Sequence, residues 1–325
     1  MLTNAQPAAP PPLADAAFRA DVLAGLSARP RAIPARWFYD RRGSELFEDI
    51  TRLPEYYPTR AEAAILRTIG PALGRAVGSG RAVVEFGSGS SVKTPLLLSA
   101  IDPAAYVPID ISGDFLRESA ARIGEQFPSV QVMPLEGDFT RPIRLADAVA
   151  TMPKLGFFPG STIGNLPPRG AVDLLRSMRD SLGQGAMLLI GMDRAKDERI
   201  LLAAYDDAAG VTAAFNLNLL ARINRELGGT IPLDAFRHRA IWNDDRARIE
   251  MHVEAVRDVA FEVDGRDFAM TEGETIHTEN SHKYGPRDAR LLLHAGGWTP
   301  VAEWTGEDDA FALILAEAQA ERSAP

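Results

Sequence analysis

The sequence predicts an α/β fold, a doubly wound and largely parallel sheet that carries an inserted α+β unit. Between residues 60 and 195, short Val, Ile, Leu and Phe runs alternate with segments of helical period, the pattern of strands connected by crossover helices. From 196 to 285 the pattern changes to a long helical stretch and then to alternating strand-like runs. At 325 residues the chain is long enough to bury a large core, so two domains, or one elaborated by insertion, are expected.

Taken in order, residues 1–12 are rich in Ala and Pro and read as a disordered tail. Strands are expected at 82–86, 106–109, 130–134, 154–158 and 187–191, with helices at 61–76, 113–126 and 170–183. The insertion opens with the helical "ILLAAYDDAAGVTAAFNLNLLARINREL". It continues with the strand-like "RIEMHVEAV" and "FEVDGRDFAM", the latter folding back at Asp-Gly. A helical "PRDARLLLHAG" and the runs "WTPVAEW" and "AFALILA" then complete the sheet.

The formal charge of -9 disfavours a nucleic-acid partner, whose binding rests on Lys and Arg neutralising phosphates. No apolar run reaches the ~20 residues needed to span a bilayer, and the start lacks the regions of a signal peptide. The chain has no cysteine, which excludes disulfides, thiolate metal sites and thiol nucleophiles. A cytoplasmic monomer acting on a small molecule is expected.

The octapeptide "GSGSSVKT" at 87–94 follows the apolar run 82–86 and misses the triphosphate-loop pattern G-x-x-x-x-G-K-[ST] by one residue. Val92 stands where that loop needs glycine, and a β-branched residue suits positive φ poorly. Glu85 just before the turn would repel phosphate but favour a cation or a ribose hydroxyl. S-adenosylmethionine is a sulfonium with an ammonium group and no phosphate, and it suits an acidic strand end followed by Gly87 and Gly89. Ligands of open α/β sheets sit beyond the carboxyl ends of the strands. There Asp110 would meet ribose hydroxyls, and Asp138 and Phe139 an adenine amino group and ring. Lys93 and Thr94 also read as residues of a helix's first turn. After "KLGFF" the loop "PGSTIGNLPP" offers Asn165, while Pro167 and Pro168 suit the start of the next helix.

Together, "WFYDRRGSELFEDITRLPEYYPTRAEAAIL", "EFGSGSSVKT", "GSTIGNL", "AYDDAAGVTAAFNLNLLARINRELGG", "RIEMHVEA" and "ETIHTENSHKY" closely resemble the L-histidine Nα-methyltransferases of ergothioneine biosynthesis. The resemblance spans nearly the whole chain after the tail. It implies a Rossmann-like, doubly wound S-adenosylmethionine-binding sheet (60–195 and 286–325) beside an α+β substrate-binding domain (13–59 and 196–285). The implied reaction is transfer of three methyl groups to the α-amine of histidine, giving hercynine. By motif, Asn165 and Tyr205 fall at the substrate carboxylate, Tyr56, Glu279 and Ser281 at the imidazole, and Tyr39 near the amine. Gly87, Lys93, Asp110, Asp138 and Phe139 match on the cofactor side, and Met251 joins Tyr56, Glu279 and Ser281 in the substrate pocket.

The residue chemistry supports these placements. On a regular strand, residues 277, 279 and 281 share one face, which aims Glu279 and Ser281 into one pocket. A carboxylate and a hydroxyl there would meet both imidazole nitrogens. His277 and His282, five residues apart, would lie on opposite faces, and Asp206 and Asp207 read as a solvated helix face, so no metal is expected. Tyr39 is the candidate for handling the amine's protons through water, and Phe47 and Tyr56 for an aromatic wall against the growing cation. Two other readings stay open, methylation of another amino acid or small amine and a cofactor-binding subunit without catalysis.

Overall fold

The computed structural model describes residues 15–89, 93–141, 143–306 and 308–320. The N-terminal tail and Val92 lie outside the described residues. The chain opens with α1 (Ala16–Ser27), a short strand β1 (Arg31–Ala32), α2 (Arg41–Arg52) and α3 (Tyr57–Val77). Asp40 starts α2 by accepting from the Gly43 amide at 2.7 Å, and Leu46 and Ile50 are buried on its inner side.

The sheet then forms from β2 (Ala82–Phe86), α4 (Thr94–Ile101), β3 (Ala105–Asp110), α5 (Gly113–Gln126), β4 (Gln131–Val132), β5 (Leu135–Glu136), α6 (Asp147–Ala150), β6 (Lys154–Phe158), α7 (Pro168–Leu182) and β7 (Met187–Asp193). The insertion supplies α8 (Glu198–Tyr205), α9 (Val211–Leu227), β8 (Phe236–Asn243), β9 (Arg248–Ala255), β10 (Val259–Val263), β11 (Arg266–Met270) and β12 (Thr275–His282). The last elements are α10 (Pro286–Ala295), β13 (Trp298–Thr305) and β14 (Phe311–Ala318).

The large sheet has the order β13-β14-β7-β6-β2-β3-β4, with β5 prolonging the β4 edge on β3. Its strands from β7 to β4 run parallel, while β14 is antiparallel to β7 and to β13. Every residue of β2 and β6 is buried, the signature of parallel strands covered on both faces. One apolar layer combines Val84 and Phe86 with Leu174, Leu175 and Met178 of α7, and the other combines Val83 and Tyr106 with Leu66 and Leu73 of α3. The strand order reverses between β2 and β6, so the crevice beyond their carboxyl ends is the topological switch point.

A separate apolar cluster pools residues 18–56 with 201–276. Its sheet has the order β1-β12-β9-β8, in which Arg31 and Ala32 pair with Ile276 and His277 and stitch the N-terminal segment to the insertion. β10 and β11 form a separate hairpin whose Asp264 and Gly265 have φ of 52° and 70°, as a two-residue turn between twisted strands requires.

β12 corrects one expectation from the sequence. Its register shifts between His277 and Glu279, which face His252 and Met251, adjacent residues of β9 and therefore on opposite sides of the sheet. Residue 277 thus leaves the face of 279 and 281, and His277 and His282 share a face instead of opposing each other. The bulged Thr278 is held from inside: its hydroxyl lies 2.8 Å from Asn216 Oδ1 and 3.0 Å from the Met251 carbonyl.

Candidate active site

The two modules meet at the switch point. β2 ends in a turn where Gly87 and Gly89 have φ of 74° and 49°, and a Cβ on Gly87 would stand 3.1 Å from the Phe139 ring. Asp110, at the end of β3, accepts from the Gly89 amide at 2.9 Å through Oδ2 and from the Ser112 amide at 3.0 Å through Oδ1. Each oxygen keeps a second lone pair for a ligand hydroxyl. Burial raises the Asp110 carboxyl above its ordinary range despite these bonds. Asp138 binds the Thr140 amide at 2.9 Å, and Arg36 of the N-terminal segment lies 3.6 Å from its other oxygen.

Glu85 is turned away from this turn, contrary to its expected place beside the bound group. Its Oε2 accepts from Thr94 Oγ1 at 2.7 Å and from the Tyr106 hydroxyl at 2.5 Å, between the sheet and α4. Burial pushes the carboxyl up to about 7, with these two bonds opposing the rise. Glu85 therefore anchors the first residue of α4. Lys93 pairs with the fully buried Glu62 of α3, which also accepts from the Gly160 amide at 2.9 Å.

On the side of the insertion, Tyr205 ends α8 with its hydroxyl 2.7 Å from Ser281 Oγ. The rings of Tyr39 and Phe47 (5.7 Å), Phe47 and Tyr56 (6.3 Å), and Tyr56 and Tyr205 (6.2 Å) form a chain of edge contacts, backed by Phe215. Burial, reinforced by Glu279 and neighbouring phenols, raises the hydroxyls of Tyr39 and Tyr56 well above the ordinary tyrosine range. Asp110 acts on Tyr39 in the same sense, so Tyr39 stands between the two sets of residues.

Glu279 is 9% exposed, and burial pushes its carboxyl up to about 8, with Lys283 opposing the rise. Among the described residues, neither its carboxylate nor the hydroxyls of Tyr39 and Tyr56 nor the amide of Asn165 has a hydrogen-bond partner. Met251, 2% exposed, faces Glu279 across the β9–β12 pair. Asn165 follows Gly164, whose backbone rests on that of His282.

Several supporting groups went unread in the sequence. Lys283 and Asp193 lie behind Tyr205 and Ser281, Asn216 holds the bulge, and His238 receives Asn216 Nδ2 at Nδ1 (2.8 Å) while its Nε2 lies 2.8 Å from the Tyr205 carbonyl. Donation to that carbonyl requires the Nε2–H tautomer, which leaves Nδ1 free to accept. Alternation from Ser281 would have placed Lys283 on the same face, and the strand-end rule would have found Asp193. Asp207 is also corrected. It is buried and accepts from the Val211 and Thr212 amides at 3.0 and 2.8 Å, so it caps α9 and is no solvated face.

On the opposite face of the small sheet, Glu250, His252 and His277 bring ligand-type atoms within 4.8 Å of one another. The two rings stack at 4.9 Å with 26° between planes, so their in-plane lone pairs run side by side rather than converging. Arg248 occupies Glu250 Oε1 at 2.7 and 2.5 Å.

A family model described as histidine-specific, S-adenosylmethionine-dependent methyltransferase matches residues 18–318. A histidine N-alpha-methyltransferase of Mycolicibacterium smegmatis is 44% identical over 309 residues, covering 92% of this chain and 94% of that protein. Its counterpart of Mycobacterium tuberculosis is 41% identical over 306 residues with the same coverage of 92% and 94%. Ergothioneine biosynthesis protein 1 of Neurospora crassa is 32% identical over 89% of this chain and 34% of its own length. The chain belongs to the histidine-specific, S-adenosylmethionine-dependent methyltransferase family.

Proposed function

We propose that this chain transfers three methyl groups in succession from S-adenosylmethionine to the α-amine of L-histidine, forming hercynine, as the first step of ergothioneine biosynthesis. The observation that carries the choice of substrate is the unpartnered, nearly buried Glu279 carboxyl beside Ser281. An imidazole supplies a nitrogen to each, and a site built on such bonds rejects ligands that leave them unmade.

The sulfonium supplies both the activated methyl group and its own leaving group. The protein's part is to hold and align. Asp110 and the turn at Gly87 and Gly89 would take the nucleoside, and Tyr205 and Asn165 the substrate carboxylate. The attacking amine must be neutral, and an α-amine in a peptide has a pKa of roughly 8. Because burial raises its hydroxyl, Tyr39 stays a neutral phenol and serves as a water-linked hydrogen-bond partner for the departing proton, not as a tyrosinate base. The faces of Tyr39, Phe47 and Tyr56 favour the accumulating cation.

Incubation with S-adenosylmethionine and histidine should give product masses one, two and three methyl groups heavier in sequence. A clear preference for an amino acid without imidazole overturns the assignment. Each attack needs a neutral amine and so releases one proton, the third from the dimethylammonium, and Tyr39→Phe should slow all three transfers roughly tenfold. Single-turnover rates and pH dependence unchanged from the unmodified protein for every step would remove that role. Gly87→Ala forces a side chain into positive φ against Phe139, and S-adenosylhomocysteine binding by calorimetry should weaken about tenfold.

A further inference from the structure

Behind the substrate groups lies an interior charge cluster in which Asp193 meets two ammonium groups. Lys283 Nζ is 2.7 Å from Asp193 Oδ2, and Lys196 Nζ is 2.6 Å from Oδ1. The Tyr57 hydroxyl donates to Oδ2 at 2.6 Å and accepts from Lys196 at 2.6 Å. Asp193 and Lys283 have side chains 1% and 0% exposed, so water screens neither. Burial works against the ionised Asp193, but Lys283 and Lys196 outweigh it and hold the carboxyl below its usual range. Lys196 is 12% exposed and is also acted on by Asp308, an exposed carboxylate that water screens, so within the buried cluster itself two positive groups face one negative.

That excess reaches the site through Lys283. Besides Asp193, its ammonium donates to Tyr205 Oη at 3.0 Å and to Ser281 Oγ at 2.9 Å, which uses all three of its protons. Both hydroxyls therefore accept from Lys283. One of their two protons closes the 2.7 Å bond between them, and the other is left to point outward.

We infer that Lys283 is a positioning and specificity-determining residue: it orients the Tyr205–Ser281 pair and supplies the buried positive charge that the carboxylate of the incoming amino acid neutralises. This rests on the histidine reading of the same site. It makes an α-carboxylate a requirement of the substrate, so amines carrying the same imidazole without that charge are excluded.

The test compares histidine with histidine amide and histamine, using the full chain and Lys283→Met. Asp193 keeps Lys196 and Tyr57 in the variant, and a thermal melt with S-adenosylhomocysteine reports folding and cofactor binding. In the unmodified protein kcat/KM for histidine should exceed that for the amide roughly a hundredfold. In Lys283→Met the KM for histidine should rise roughly thirtyfold or more and that for histamine, which loses only the orientation of Ser281, by much less, so the preference narrows. Equal losses for histidine and histamine with the cofactor still bound would assign Lys283 a structural role only. Amide turnover within about threefold of histidine in the unmodified protein would overturn the inference without any variant. Failure of the unmodified protein to methylate histidine would instead remove the reading beneath it.

Discussion

Glu279→Ala should lower kcat/KM for histidine roughly a hundredfold to a thousandfold while S-adenosylhomocysteine affinity stays unchanged. Among the described residues the carboxyl has no hydrogen-bond partner, so its removal costs the fold little, and the loss falls on the ligand. A fall of less than about threefold would move imidazole recognition elsewhere. The pH dependence follows from the burial that pushes this group up to about 8. Between roughly 6.5 and 8 the free protein carries the acid and free histidine a neutral ring, and their contact holds that single proton. Below roughly 6.5 both partners arrive protonated and one proton must leave, so histidine binding should weaken about tenfold per pH unit. In the free protein the folded state keeps a proton that the unfolded chain releases above 4.5, so stability falls as pH rises from 4.5 towards 8. Glu85, raised to about 7, adds to the same slope, and Glu279→Gln should reduce the fall in melting temperature without abolishing it.

The parts legible in the sequence are those whose burial pattern is local. β2, β6 and β7 read as strands because both faces are covered, and the chain writes them as continuous apolar runs. β8 escaped because its outer face is polar, with Arg237 and Arg239 both bonded to Glu254 of β9. Alternation alone put Glu279 and Ser281 on one face, yet it failed one residue earlier. The bulge at Thr278 depends on Asn216, 62 residues away in the chain. Glu85 was misplaced for a related reason: strand alternation sends it towards α3 and α4, where Tyr106 and Thr94 satisfy it, and proximity in sequence to the glycine turn says nothing about that.

Gly164 is where the two modules are pressed together, and its replacement should separate catalysis from cofactor binding. A Cβ there would lie 2.8 Å from the carbonyl oxygen and 3.1 Å from the amide nitrogen of His282. Both are backbone atoms of a strand paired along its length to β9, so neither yields as a flexible side chain would. The turn Thr162–Asn165 must therefore move off β12, taking Asn165 with it. Misplacement by about 1 Å costs up to a hundredfold where catalysis rests on alignment, so kcat for Gly164→Ala should fall roughly tenfold to a hundredfold. Overpacking should cost about 1–3 kcal/mol of stability. The turn at Gly87 and Gly89 is untouched, and S-adenosylhomocysteine affinity should hold. Gly170, on α7, provides the control: a Cβ there meets only Pro167 and Leu166 at 3.6 Å or more, and alanine favours a helix. Gly170→Ala should leave turnover intact and raise the melting temperature slightly. If Gly164→Ala behaved like Gly170→Ala, close backbone contact at His282 would not be what sets Asn165 against the substrate strand.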